Sequence, residues 1–199
     1  GGASGRTLYG DTWEWDGSAW TQRAPSQSPS PRRYVHMAFD SARGVMVLFG
    51  GRDLGTIRFN DTWEWDGVDW TPRTFTTKPS GRNGHAMAYD SVRGRVVLFG
   101  GTPVGSDETW EYDGTTWIFR NPSPRPGARA SHAMVWDARR QRCVLFGGVV
   151  AGPTYYNDTW EWDGTTWTQL APAHKPSTRQ DPAMAYDAMR GRVVVHGGL

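Results

Sequence analysis

The stretch DTWEWDGSAW, which runs from Asp11 to Trp20, decides the fold because the chain repeats it. It returns as DTWEWDGVDW at 61–70, as ETWEYDGTTW at 108–117 and as DTWEWDGTTW at 158–167. A Gly-Gly pair recurs as well, and its first glycines are spaced by 50, 47 and 50 residues: Gly50, Gly100, Gly147 and Gly197. A period of this length is typical of propellers and solenoids, in which each repeat forms one structural unit.

Each repeat contains four short strand signals, and no helical periodicity is present. In the second repeat, HAMAYD (85–90) is strand A, RVVLFGG (95–101) is strand B, and the recurring DTWEWD motif is strand C. An Asp-Gly hairpin turn separates strand C from strand D, which begins near the last tryptophan of the motif. We therefore predict an all-β chain of four antiparallel units, with approximate repeats at 1–51, 52–101, 102–148 and 149–199 of one domain, 1–199.

The spacing between motifs separates the loops by face. From the strand-D Trp to the next Arg is always 12 residues, as from Trp20 to Arg32, and only the B–C loop changes length. In an antiparallel unit the tight A–B and C–D turns share one face, and the long D–A and B–C loops share the other. Because binding residues concentrate on variable loops carried by a rigid scaffold, we place any site on the D–A/B–C face.

Composition excludes several classes. The formal net charge of +2 gives no electrostatic prior for nucleic acid, and no apolar run is long enough to span a membrane. Cys143 is the only cysteine, so no intramolecular disulfide forms within the chain, and we interpret it as a small core residue.

The tryptophans of strand C alternate with glutamates, which gives the strand one aromatic and one charged face. A sugar-binding platform is one interpretation. We prefer packing between neighbouring units, because all four repeats carry the aromatics, with Tyr112 as the single substitution. The strand-A methionines are interpreted as core residues for the same reason.

The pattern resembles the kelch repeat. The residues that carry the resemblance are the Gly-Gly pair ending strand B, the aromatic WEWDG of strand C, the strand-D Trp and the Arg before strand A. The resemblance covers the whole chain and implies a β-propeller whose blades are four-stranded antiparallel sheets with strand A nearest the axis. It implies the fold and not the function, which depends on a site.

The order of motifs predicts complementary half-blades at the two ends of the chain. Strands C and D follow Gly1-Gly2, and strands A and B precede Gly197-Gly198. Three arrangements follow: a closed four-bladed ring, an eight-bladed ring made by a homodimer, or a trimmed, excised or designed piece of a longer propeller. We favour the homodimer, because blade packing suited to a wide ring would resist closure at four.

An arginine precedes strand A in every repeat, and a ring of such side chains suits carboxylate or phosphate. In kelch domains that bind peptides, arginines from these loops line the ligand surface, so the resemblance extends that role to this set and to Arg52 and Arg58 in the first B–C loop. The alternative is that each arginine ties blades together by bonding backbone carbonyls or an acid. The set is Arg32, Arg82, Arg129 and Arg179.

No catalytic or metal motif emerges. His85 and His132 are equivalent in adjacent repeats, but the same position holds Val35 and Pro182 elsewhere, so we predict structural histidines, no metal and no cofactor. Copper oxidases resembling galactose oxidase need a Tyr-Cys cross-link, and Cys143 lies in a Val-Leu-Phe strand without a matching ligand set. We therefore expect a protein that is not an enzyme.

Two functional classes remain, together with an unliganded scaffold. The first is a non-catalytic module that binds a protein or peptide, which could be acidic. The second is a carbohydrate-binding module that uses loop aromatics such as Tyr155, Tyr156 and Phe59. The third is a designed or minimal propeller with no natural ligand.

Overall fold

The computed structural model describes residues 2–4, 7–102, 106–150 and 154–199. Gly1, half of the first predicted Gly-Gly pair, lies outside these ranges. All regular elements in the described ranges are β-strands. In the same ranges no helix is long and apolar enough to cross a membrane.

The chain opens with two hairpins. The first contains β1 (Gly2–Ser4) and β2 (Thr7–Tyr9). The second, which we call the CD half-blade, contains β3 (Thr12–Trp15) and β4 (Trp20–Arg23).

Three four-stranded antiparallel sheets, blades I to III, follow. Blade I has the order β5 (His36–Asp40), β6 (Val45–Phe49), β7 (Thr62–Trp65), β8 (Trp70–Arg73). Blade II has the order β9 (Ala86–Asp90), β10 (Arg95–Phe99), β11 (Thr109–Tyr112), β12 (Trp117–Arg120). Blade III begins with β13 (Ala133–Asp137) and β14 (Arg142–Phe146). A short hairpin of β15 (Val149–Val150) and β16 (Thr154–Tyr155) interrupts it, before β17 (Thr159–Trp162) and β18 (Trp167–Leu170) complete it.

The last hairpin is the AB half-blade, formed by β19 (Ala183–Asp187) and β20 (Arg192–His196). The predicted A-B-C-D strand order is therefore confirmed in all three blades. The first strands of successive blades are neighbours, since β9 contacts both β5 and β13, and β13 contacts β19. This places strand A on the inner side of the row of blades, as the resemblance implied.

The hydrophobic core lies between blades. Phe49 of blade I packs edge-on against Trp117 of blade II with ring centroids 5.2 Å apart, and Phe99 of blade II packs in the same way against Trp167 of blade III at 5.3 Å. The interpretation of the tryptophans as packing residues is confirmed at these positions. Cys143 is fully buried in the core between blades II and III, where burial raises the pKa of its thiol.

In blades I to III, close approach of the backbone requires the first glycine of each Gly-Gly pair. Gly100 has φ +68°, a left-handed conformation, and a Cβ there would lie 2.6 Å from the carbonyl oxygen of Arg129. Since real Cβ atoms do not approach an oxygen so closely, only glycine fits where the loop before strand A crosses the end of strand B.

The two half-blades are present as predicted, and they remain separate. β3–β4 and β19–β20 form individual two-stranded sheets, so in the described parts of one chain β20 does not pair with β3. A four-bladed ring closed through that pairing is therefore not formed by the single chain.

Candidate functional site

The D–A and B–C loops lie on one face, which we call the loop face, and backbone bridges join them in every repeat. In blade I, Arg33 and Arg52 exchange N–H···O bonds of 2.9 Å. The equivalent bridges elsewhere join Asn83 to Thr102, Ala130 to Val149 and Gln180 to Leu199. The loop face predicted from spacing is thus a rigid extension of the blades.

The arginine that precedes strand A is buried in the three full blades. Arg32, Arg82 and Arg129 are each 1–2% exposed. Arg32 donates to the Gly50 carbonyl at 2.9 Å and pairs with both carboxylate oxygens of Asp61 at 2.7 and 2.9 Å. Bonds to a backbone carbonyl and an acid are the contacts expected if these arginines are structural. They tie loops within one blade, however, and do not link one blade to the next.

The pairing changes the titration of the acids. Burial alone would raise the pKa of Asp61, but hydrogen bonds from Arg32 and Trp63 outweigh it and hold the pKa below its ordinary value. Glu108 behaves in the same way beside Arg82. Arg179 differs, because it is only half-buried and pairs with no carboxylate among the described residues, although it donates to the carbonyls of Ser177 and Gly197.

Two of the loop aromatics cover these arginines. The Phe59 ring lies 4.1 Å from the Arg32 guanidinium carbon, and the Tyr156 ring lies 4.0 Å from that of Arg129. Both rings therefore take part in cation–π contacts within the blades. Tyr155, which is 40% exposed, is the most accessible of the three aromatics considered for a sugar site.

A second set of arginines is not engaged in this way. Arg52 is bridged on one side by Arg33 and on the other by Arg58, so the three residues are direct cross-strand neighbours. We call them the basic row. Residues directly opposite each other in an antiparallel pair project to the same side, and like charges there repel.

The basic row has no carboxylate partner in the described ranges of the chain, where none of its members forms an ion pair. Arg52 donates to the carbonyls of Asp53 and Gly55, at 3.4 and 2.8 Å. Arg58 donates to Asn83 Oδ1 at 3.2 Å, and the Arg33 guanidinium lies 5.3 Å from the Tyr34 ring centre. The three cations are held by neutral groups only.

Sequence reasoning selected Arg52 and Arg58 and missed Arg33. Arg33 could have been found because it differs from the other repeats. The equivalent positions hold Asn83, Ala130 and Gln180, while the scaffold around them is constant. A residue that the fold does not require at a repeated position points to a local role.

Exposed apolar side chains flank the basic row. Tyr34 is 53% exposed, Leu54 41% and Ile57 60%. Leu54 and Ile57 lie at the tip of the B–C loop, which is ordered by hydrogen bonds from Ile57 N–H to Asp53 Oδ1 at 3.0 Å and from Asp53 N–H to the Ile57 carbonyl at 3.1 Å. Positive charge and apolar surface therefore lie side by side on an ordered loop.

The two equivalent histidines are core residues at the start of blades II and III. His85 and His132 are at most 3% exposed and face Phe49 and Phe99 edge-on. Burial lowers the pKa of both well below the ordinary value, so they are neutral at pH 7. Across the described ranges, no group of three or more His, Cys, Asp or Glu side chains is arranged to hold a metal ion.

Comparison with known proteins agrees with this architecture. A family model for the KLHDC2/KLHL20/DRC7 Kelch-repeats domain matches residues 69–199. The match covers more than half of the chain, so the chain belongs to the kelch-repeat family. A search of curated proteins finds no match. Kelch repeats generally mediate protein–protein interactions, and the family is generally non-enzymatic.

Proposed function

We propose that this chain is a non-catalytic binding module that holds an acidic peptide or protein segment on its loop face, at the basic row. The observation that carries the proposal is the cross-strand alignment of Arg33, Arg52 and Arg58 without a carboxylate partner in the described ranges. Guanidinium groups bind carboxylates bidentately, and clustered arginines are a recurring means of recognising acidic motifs.

The flanking apolar residues support a peptide over a small anion. A small anion would contact the guanidinium groups alone, whereas a peptide would also cover Tyr34, Leu54 and Ile57. Exposed aromatic and arginine side chains are the residue types that dominate protein interfaces.

Arg82 and Arg129 were also candidates for ligand contact, and their burial gives the proposal no support. The same holds for Arg32. Arg179 is half-buried, and it lies on the AB half-blade, away from the basic row. The proposal therefore rests on Arg52 and Arg58 from the sequence and on Arg33 from the structure.

The test is fluorescence anisotropy with a labelled Asp/Glu-rich peptide and a same-length peptide in which Asn and Gln replace the acids. We expect the acidic peptide alone to bind. Arg52→Glu and Arg58→Glu should each weaken binding by roughly tenfold, since one charge-assisted contact is lost and a repulsion gained.

Arg142→Glu is the matched control. Arg142 is half-buried at the A–B turn of blade III, on the opposite face. Its replacement by glutamate changes the net charge by the same amount as the two test substitutions. It should leave binding unchanged. Equal binding of the neutral peptide, or equal weakening by Arg142→Glu, would show that the attraction is not localised at the basic row.

A further inference from the structure

Two open grooves lie at opposite ends of the row of blades. One, of 390 Å³, lies between the CD half-blade and blade I and is lined by residues that include Trp13, Met37 and Leu48. The other, of 750 Å³, lies between blade III and the AB half-blade and is lined by residues that include Thr159 and Val193. Each groove lies where a complete blade would have two more strands.

The tryptophans of the CD half-blade are exposed, although their equivalents are buried. Trp15 is 52% exposed and Trp20 is 64% exposed. The equivalent residues of blade III, Trp162 and Trp167, are each 1% exposed. Three aromatic side chains, including Trp13 at 47%, therefore face solvent in a single chain at positions that are otherwise covered by the preceding blade.

Repetition identifies the missing partners of these tryptophans. Within the chain, a strand-C aromatic donates to a glutamate of the preceding blade, as Trp162 Nε1 does to Glu111 at 3.0 Å. A strand-D Trp donates to a threonine there, as Trp167 Nε1 does to Thr109 at 2.9 Å.

For Trp15 and Trp20 the corresponding acceptors are Glu161 and Thr159 of blade III. Neither accepts a tryptophan N–H in the described ranges of one chain, and Thr159 lines the larger groove. The donors lie at one end of the row of blades, and their acceptors lie at the other.

The arginines that precede strand A also indicate that the two half-blades are partners. Arg129 binds both carboxylate oxygens of Asp158, at 2.6 and 2.9 Å. Arg179, its equivalent in the AB half-blade, has no carboxylate partner among the residues that the structure describes. The equivalent acid is Asp11, which lies in the CD half-blade and accepts a hydrogen bond from Trp13 Nε1 at 2.6 Å.

We propose that a second copy of this chain completes both half-blades, so that two copies form a closed eight-bladed ring. The AB half-blade of each copy pairs with the CD half-blade of the other, β20 beside β3, in the register of β6 beside β7. That register places Val194 opposite Glu14 of the second copy, as Val47 lies opposite Glu64.

A second copy is favoured over other occupants by the geometry of the chain itself. The two half-blades stay in separate sheets within one chain, and both grooves stay open. Propellers typically contain four to eight blades, so two copies reach the upper limit and a third would exceed it. Heterologous contacts of this kind close into a ring when the rotation between copies permits it.

The experiment is light scattering on a sizing column with the 199-residue protein, over a wide range of concentrations. We expect twice the 22.2 kDa mass of one chain. Trp20→Ala should give the monomer mass with blades I to III still folded by circular dichroism. Phe119→Ala, which removes a ring that is 46% exposed on β12, should leave the dimer intact.

A charge exchange tests the pairing itself. Asp11→Arg and Arg179→Asp should each be monomeric when alone. In a mixture of the two variants, one junction has the natural pair and the other has the exchanged pair, so dimers should form again. A variant that had merely unfolded would not be rescued by mixing.

The proposal is overturned by a monomer at every concentration, whether its tryptophans are shielded by self-closure or remain open to a quencher. It is equally overturned by a dimer that survives Trp20→Ala, or by a mixture of the two charge variants that stays monomeric.

Discussion

At the scale of single residues, two adjacent positions before strand A differ: one is the same in every repeat and the next one varies. The arginine before strand A is buried and paired in three blades, and the residue directly after it varies. In blade I that variable residue is Arg33, which adds to a row of cations that pair with no carboxylate in the described ranges. The constant arginines thus tie loops within the blades, and the variable arginines are the ones that we propose contact a ligand.

Replacing a buried arginine should therefore affect stability. Arg82→Ala removes bonds to the carbonyls of Ser80 and Gly100 and leaves Glu108 without its cation. We expect the free energy of unfolding, measured in urea, to fall by roughly 3 kcal/mol. Arg58→Ala, at an exposed position, is the control and should change it little; an equally stable Arg82→Ala would contradict the structural role.

The buried histidines predict a pH dependence of stability. His85 and His132 have pKa values well below 6.5 in the folded state, because burial disfavours the cation and Arg82, Arg129 and His36 add repulsion. The unfolded chain takes up protons below about pH 6.5 and the folded chain does not, so stability is lost as the pH falls through that value.

We expect the free energy of unfolding to fall between about pH 7.5 and pH 5.5, by an amount approaching ~1.4 kcal/mol per pH unit for each histidine at the acidic end. The paired carboxylates of Asp61 and Asp158 do not interfere, because their lowered pKa values place their titration below this window. His85→Val takes the residue found at the equivalent Val35 and should reduce the slope. A slope unchanged in His85→Val would show that the folded protein binds the proton.

At the scale of elements, the loop before strand A crosses the end of strand B, and this crossing limits which residues fit there. Two glycines separate two reasons for glycine: a left-handed backbone conformation, and a neighbouring backbone atom that leaves no room for a Cβ. Gly94 has φ +64°, and a Cβ there would meet only the Tyr89 hydroxyl at an ordinary contact distance of 3.9 Å; Gln141 holds the equivalent turn position at φ +57°. Gly100 has φ +68°, but a Cβ would meet the Arg129 carbonyl.

Gly100→Ala should therefore destabilise the protein by more than Gly94→Ala, which costs about 1 kcal/mol from backbone conformation alone. The comparison is made by thermal unfolding of both variants under identical conditions. Equal melting temperatures for the two variants would mean that the blades can shift to accept the Cβ.

The elements also show what the sequence could predict. Fixed spacings placed all strands of blades I to III and the loop face, because a repeat constrains its copies to one geometry. The burial of Arg32, Arg82 and Arg129 could not be decided, since a repeated arginine suits both a ligand ring and a structural tie. Arg33 was missed because its cross-strand position depends on a bridge between loops that no local pattern encodes.

At the scale of the whole molecule, packing between blades does not use the loop face, where we propose that a ligand binds. The blades are held together by buried aromatic contacts and by hydrogen bonds between neighbours, as from Trp117 Nε1 to Thr62 Oγ1 at 3.0 Å. The loops of blade I carry charge that this packing does not use. Completion of the half-blades by a second copy would present two such surfaces related by a two-fold axis.

A hydrogen-exchange footprint of the protein with and without a bound acidic peptide directly tests the loop face as the binding surface. We predict slower amide exchange in residues 52–58 and at Tyr34, with little change at the A–B and C–D turns of the opposite face. Protection confined to those turns, or no protection on the loop face when the peptide is bound, would contradict the assignment of the loop face as the binding surface.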